Sequence, residues 1–298
     1  MSAQSPQNVL IRVPASTSNL GSGFDTLGLA LAIYNEIRVT RGGSRDARED
    51  PFIAEVANHF FRATGRPPEP IGVEIDGDVP RSRGLGSSVT VRCGIYAGMN
   101  KLWRTGLSRF EIAQAVTELE GHPDNAVASL FGGLTIAKLA VKSHALEDYL
   151  SCPVEEDLLF VVISPDQEVK TNDSRTLLPP SLPFGDAVQS LNSLSFFLAA
   201  MLRGESARLT GLSRFEGLHE PWRLAHQPGA DEALAAARSS GARAAWLSGS
   251  GSSLVALTTR EEAPAIREAL QKPFRKIGVS YQLFTTTADH EGLQIISS

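Results

Sequence analysis

Two cysteines in 298 residues, Cys93 and Cys152, exclude a disulfide-stapled fold, and their spacing is not that of a metal site. The six histidines form no HExxH pair. No apolar run reaches the ~18 residues that a membrane-spanning helix needs, and the opening MSAQSPQN lacks the basic and apolar regions of a secretion signal. Positive charge is scarce as well. Against 33 Asp and Glu stand 28 Lys and Arg, a net charge of −5, which gives no general pull towards nucleic acid or an anionic membrane. With 42% hydrophobic and 20% charged residues the composition is that of a soluble globular protein with room for two domains. The expectation is a cytoplasmic enzyme or binding protein.

The nucleotide motifs that are missing sharpen what is present. No Lys follows the glycines of residues 79–90, VPRSRGLGSSVT, so this is not GxxxxGK[ST], and without a third glycine it is not GxGxxG. Gly84 and Gly86 nevertheless let a ligand approach the main chain, and Ser87 and Ser88 stand where a helix begins. A helix start offers unpaired N–H groups and partial positive charge, the ingredients of a phosphate cradle. Taken alone, GLGSS reads equally well as a turn that caps a helix.

Local signals predict the surrounding elements. Residues 9–13 have strand character, as do 26–34 with 36–40 continuing them, and the small-residue loop ASTSNLGSGFD (15–25) separates the two. Phe52, Val56 and Phe60 recur at helical spacing and stop near Gly65. A strand at 71–75 leads into the glycine loop, and a helix follows from Ser87 to about Trp103. Ser108 with Glu111 forms a capping box for a second helix that ends at GHPDN, where Pro123 bars continuation. A polar stretch at 143–156 marks the expected boundary between domains 1–150 and 151–298. Beyond it, 158–163 is a strand, and Val188, Leu191, Leu194, Leu198 and Leu202 line one face of a long helix. A helix at 231–240, strands on either side of SGSGSS (248–253), a helix near 261–271 and a strand at 279–285 complete the expectation. GLSRFE occurs at 106–111 and 211–216, but the flanks differ, so one helix-start device is used twice.

Residues 80–88, PRSRGLGSS, resemble the P-x-x-x-G-L-G-S-S-A signature of the GHMP kinases, with Val89 departing at the last position. Four further stretches are similar to the homoserine kinases within that family: PASTSNLGSGFD (14–25), EGHPDN (120–125), KTNDSRTLLP (170–179) and LHEPWR (218–223), the last with Trp222 in place of the family's tyrosine. Residues 247–253 resemble the family's third motif, with Ser252 in place of its proline, which predicts a more flexible loop. Each stretch alone reads as a polar loop, a helix end or an ordinary surface arginine.

The resemblance implies an α+β, two-domain GHMP kinase fold. Its N-terminal domain is like ribosomal protein S5 domain 2, and its C-terminal domain is ferredoxin-like. It implies ATP held by Pro80, Arg81, Ser82, Arg83, Gly84, Leu85, Gly86, Ser87 and Ser88 together with Gly249 and Gly251. Mg²⁺ falls to Ser88 and Glu120, with Glu118 the competing carboxylate, because Mg²⁺ takes one or two carboxylates plus phosphate oxygens. L-homoserine is implied at Asn19, Asp25, Asn125, Arg175 and Arg223, the two guanidinium groups suiting a carboxylate. Asp25, Asn125 and Glu120 carry the catalytic expectation. No dedicated base is implied; in relatives that use an Asp–Lys pair, the corresponding carboxylate would be Asp124. A homodimer is frequent in the family, and neither nucleic acid nor membrane is an implied partner. Two alternatives stay open: another GHMP kinase acting on mevalonate or a sugar, and a metabolite-binding relative without turnover.

Overall fold

The computed structural model describes residues 8–42, 46–167, 171–213 and 215–297, and of residues 171–173 and 297 the backbone only. Lys170 and Arg214 of the sequence motifs, the first seven residues and part of the charged loop 41–50 lie outside that set.

The first sheet is organised by one long strand. β1 (Asn8–Ser18) pairs antiparallel with β2 (Leu27–Arg41) along its whole length, and the register slips between Pro14 and Ala15. Proline has no N–H for the ladder and is tolerated at such a bulge. Much of the expected small-residue loop is therefore strand, through Ser18. The far half of β2 pairs with β3 (Ile71–Gly77), and its near end pairs with β4 (Leu134–Leu139). β5 (Leu146–Cys152) extends the sheet from β4, so the expected boundary at 150 falls inside a strand. β10 (Gln294–Ser297), not foreseen, returns to pair with β1. The second sheet runs β7-β8-β6-β9, from β6 (Leu158–Pro165), β7 (Ala244–Leu247), β8 (Leu254–Thr259) and β9 (Tyr281–Thr286).

Helix ends follow their local chemistry. Asp50 caps α1 (Pro51–Thr64) by accepting from Phe52 and Ile53 N–H, and Gly65 ends it in the left-handed region at φ 66°. α2 (Ser87–Trp103) is buried along most of its length against β1 and β2. The Ser108–Glu111 capping box opens α3 (Arg109–Glu120) as expected. Pro123 does more than stop that helix. It stands at the N-cap of α4 (Asp124–Phe131), a position where a missing N–H is harmless, so Asp124 and Asn125 lie in a helix's first turn instead of a loop.

In the second half, α5 (Thr171–Thr176), α6 (Phe184–Leu202), α7 (Glu220–Leu224), α8 (Ala230–Ser239) and α9 (Ala263–Ile277) follow. α8 and α9 cover one face of the second sheet through Leu234, Ile266, Leu270 and Phe274. α6 packs through Phe197 and Met201, so the stripe from Val188 to Leu202 is not its main packing face. A core cluster bridges the two sheets. Leu20, Leu27, Leu31, Val79 and Leu85 from the first half meet Phe160, Val162, Phe197, Trp246 and Val255 from the second. The functional cleft lies above it.

Candidate active site

A cleft of about 710 Å³ is lined by the glycine loop, the loop after β1, the first turn of α4 and the arginines of α5 and α7. At one end α2 begins. Gly86 is its N-cap at φ 66° with no side-chain capping bond, and no acidic residue occupies the first turn. The leading N–H groups of α2 therefore have no intrahelical partner and carry the positive end of the helix dipole beside the cleft.

Both glycines are fixed by their neighbours as well. A Cβ on Gly84 would strike Ser248 O, and one on Gly86 would strike Ser16 Oγ, with both residues in the left-handed region. The loop is tied to residues 247–253. Arg83 O accepts from Ser253 N at 3.0 Å, and Gly84 O accepts from Ser248 Oγ at 2.6 Å.

The expected nucleotide contacts do not all face the cleft. Arg81, Ser82, Arg83, Gly84, Gly86, Ser87, Ser88 and Gly249 line the cleft, whereas Pro80, Leu85 and Gly251 do not. The Leu85 side chain is fully buried in the bridging core, and Gly251 packs against Gln227. Arg83 is held by Asp166 at 2.6 Å. Val89, bulkier than the family's alanine, is 1% exposed, packs into the first core and also lines the cleft. Ser252 does not loosen its loop: it is buried and donates from Oγ to Pro165 O at 2.9 Å.

The two competing carboxylates separate. Glu120 ends α3 on the cleft, 2.6 Å from Arg92 Nε of α2. Arg92 also binds Glu55 at 2.8 Å and lies over the Phe52 ring. Glu118 turns to His59 at 3.1 Å, is 62% exposed and does not line the cleft. Glu120 and the exposed Ser88 hydroxyl supply one carboxylate and one hydroxyl, and no cluster of three His, Cys, Asp or Glu suited to a metal occurs among the described residues. That donor set fits a Mg²⁺ ion completed by phosphate oxygens and does not fit a metal held by protein alone.

The other end is built from side-chain charge. Asp25 accepts two hydrogen bonds from Arg175, at 3.0 and 2.7 Å. Arg223 is 2% exposed; its Nη1 donates to Gly249 O at 2.9 Å, while its buried Nε has no hydrogen-bond partner among the described residues. Burial, reinforced by the charge of Arg175, pushes its pKa down to about 10. Phe24 lies between the two guanidinium groups, 5.4 Å from Arg175 and 5.2 Å from Arg223, and stacks on His219. Glu216 accepts from the N–H groups of Leu218, His219 and Glu220 and so caps the short helix that carries Arg223.

Asn19 and Asn125 act mainly inside the protein. Asn19, at φ 69°, donates from Nδ2 to Gly249 O at 3.3 Å and accepts Asp25 N–H at 3.1 Å. Asn125 accepts from Ser16 Oγ and donates to Ser18 Oγ and to Asp124, which uses its polar capacity on β1 and α4. Asp124 is bound to His122 Nδ1 at 3.0 Å. Burial opposes charge on both, but their mutual attraction outweighs it, raising the His122 pKa and lowering that of Asp124. The bonds from His122 and Asn125 all fall on one oxygen of Asp124, Oδ1, and fix that carboxylate against the first turn of α4.

Sequence reasoning gave no role to Phe24, His122, Ser16 or Ser18, although all four lie in quoted motifs. It also missed the apolar wall of Phe52, Ile53, Ile75, Val79 and Val91 at the glycine-loop end, which suits a flat aromatic base. Those residues come from α1, β3, the following loop and α2, and nothing local marks them as neighbours.

Two family models match the chain: GHMP kinases N terminal domain over residues 51–133 and GHMP kinases C terminal over 197–276. The homoserine kinase of Moorella thermoacetica is 35% identical over 282 residues, covering 91% of this chain and 94% of that protein. The homoserine kinase of Thermosynechococcus vestitus is 33% identical over 299 residues, covering 96% and 98%. Among solved structures, the homoserine kinase of Cytophaga hutchinsonii has the same fold, with a TM-score of 0.85, 24% identity and coverage of 99% and 100%.

Proposed function

The chain belongs to the GHMP kinases, and from that premise we propose that it is a homoserine kinase, converting ATP and L-homoserine to ADP and O-phospho-L-homoserine. The same reading makes it a cytoplasmic enzyme of amino-acid biosynthesis on the way to threonine, and includes a homodimer. The observation that carries the acceptor is Arg223: a buried guanidinium on the cleft with no carboxylate of the described residues hydrogen-bonded to it. A buried cation so placed favours an anionic ligand, and an amino acid's carboxylate can use both arginines.

Phosphoryl transfer needs placement and charge neutralisation more than covalent help from the protein. The open N–H groups at the start of α2 hold phosphate oxygens. The apolar wall behind them takes the base. Glu120 and Ser88 would hold a Mg²⁺ ion, which when bound would supply charge neutralisation for the phosphates. At the far end Arg175 and Arg223 grip the acceptor carboxylate, Asp25 takes its ammonium, and the hydroxyl is left pointing at the γ-phosphoryl group. Asn125 and Asn19 act as positioning residues, fixing β1, α4 and residues 247–253 around that line. The acceptor oxygen forms its bond to phosphorus as the bond to ADP breaks, and the hydroxyl proton passes to an oxygen of the transferred phosphoryl group, without a dedicated base.

A coupled ADP-release assay with homoserine, mevalonate and galactose tests the reading. Turnover is expected with homoserine alone. Turnover with mevalonate or galactose instead would move the chain elsewhere in the family, and none with any acceptor would end the kinase reading.

A further inference from the structure

Arg92 stands one turn beyond Ser88 on α2, outside every motif read from the sequence. Its neighbours on that helix are apolar. Val89, Val91, Cys93, Ile95 and Tyr96 are buried in the first core, and Arg92 itself is 8% exposed. A guanidinium in such surroundings is costly unless opposite charge answers it. Two neighbouring helices supply that answer. Arg92 Nε lies 2.6 Å from Glu120 Oε1 at the end of α3, and Nη1 donates to Glu55 Oε2 of α1 at 2.8 Å. The guanidinium carbon is 4.6 Å from the centre of the Phe52 ring, also on α1. Glu120 and Phe52 line the cleft, whereas Arg92 and Glu55 stand behind them.

We propose that Arg92 is the positioning residue of the metal contact, fixing the Glu120 carboxylate towards the ion that accompanies the nucleotide. This rests on the reading of Glu120 as the protein carboxylate for Mg²⁺. Glu120 is the last residue of its helix, and Gly121 follows in the left-handed region at φ 82°, so the backbone alone does not aim a long, flexible side chain. A metal site works only when its ligands are held to within about 0.5 Å. Arg92 supplies that hold. Its contact falls on Oε1, which leaves Oε2 for the ion. Glu55 offsets the guanidinium charge from the other side, so Arg92 steers Glu120 without setting a full positive charge against Mg²⁺. The Phe52 contact joins the same guanidinium to the wall that takes the base, so one side chain sets the spacing between base and metal. Because Arg92 does not line the cleft, it acts through Glu120 and not on a phosphate.

Calorimetry of β,γ-methylene ATP, once with Mg²⁺ and once with EDTA, reads the metal's part of nucleotide binding without turnover. Arg92→Met keeps an apolar stem beside Phe52 and removes the hold on Glu120. It is expected to raise the dissociation constant of the Mg²⁺-bound analogue by about 10-fold, with the value in EDTA level. In a Glu120→Gln background the same substitution is expected to add nothing, since its effect passes through that carboxylate. Glu55→Gln, at a side chain 52% exposed and off the cleft, keeps the fold and is expected to weaken Mg²⁺-dependent binding by about 2-fold. It decides the matter if Arg92→Met does not fold. A Mg²⁺ effect that both variants leave unchanged would overturn the proposal. So would losses that add in the double variant, since Arg92 would then act apart from Glu120. If Glu120→Gln alone leaves the Mg²⁺ effect intact, the metal contact lies elsewhere, and the inference falls together with the reading it rests on.

Discussion

The two ends of the cleft are made from different materials. At the glycine-loop end the binding groups include main-chain N–H donors set by the start of α2, with Arg81, Arg83 and the Glu120–Arg92 pair around them. At the acceptor end they are side chains: the Asp25–Arg175 pair, the buried Arg223 and the His122–Asp124 pair lie close together around Phe24 and α4. The contrast explains why two departures from family motifs are tolerated at the first end. Neither Val89 nor Ser252 alters which N–H groups are presented. The acceptor end has no such latitude, because its binding groups are the side chains themselves.

Arg223 offers the sharpest break. Removing one partner of a buried charged contact costs about 2–5 kcal/mol, so Arg223→Ala is expected to weaken apparent homoserine affinity by at least ~30-fold while ATP affinity in the absence of acceptor stays level. Calorimetry of each ligand separately reads the difference, and a parallel loss of both would erase the contrast. Glu120→Gln comes next. Turnover is expected to fall about 10²-fold or more, whereas Glu118→Gln, on the far side of α3, leaves it near normal; the reverse order would move the metal contact to Glu118.

The effect of pH is smaller and belongs to the acceptor end. The raised His122 pKa gives stability that is full below the ordinary histidine value of about 6.5 and is lost as pH rises through the folded value. The lowered Asp124 pKa gives stability that is full above about 3.9 and is lost as pH falls through its folded value. Their joint contribution is thus complete between about pH 4 and 6.5. His122→Gln should remove this window from a series of urea melts. The smallest effect is expected of Ser252→Ala, about 1 kcal/mol of stability from its lost hydrogen bond, with ATP affinity unmoved.

Much of this was legible in the sequence where the cause is local. The ends of α1 and α3 follow from Asp50, Gly65, Ser108 and Glu111, which act within one turn of themselves. Pro123 was half legible, since the rule that ends α3 is also the rule that permits α4 to begin. Glu118 and Glu120 are two residues apart, about 200° around the helix, so one had to face the cleft and only packing decides which. The strand β10 and the Asp25–Arg175 pair join residues 150 or more apart, and no local pattern carries that information.

The shared core beneath the cleft has a dynamic consequence. Leu20, Leu27, Val79 and Leu85 interdigitate with Phe160, Phe197, Trp246 and Val255, and Trp246 Nε1 donates to Thr17 Oγ1 across the same seam. A clamshell motion would have to open that seam and expose buried apolar surface at every turnover. Entry and exit of reactants therefore belong to the rim, where Arg81 and Ser82 stand exposed above a rigid floor. In hydrogen exchange, the amides of β1 and β7 should open together and slowly, with those of the rim far ahead of them and sensitive to nucleotide.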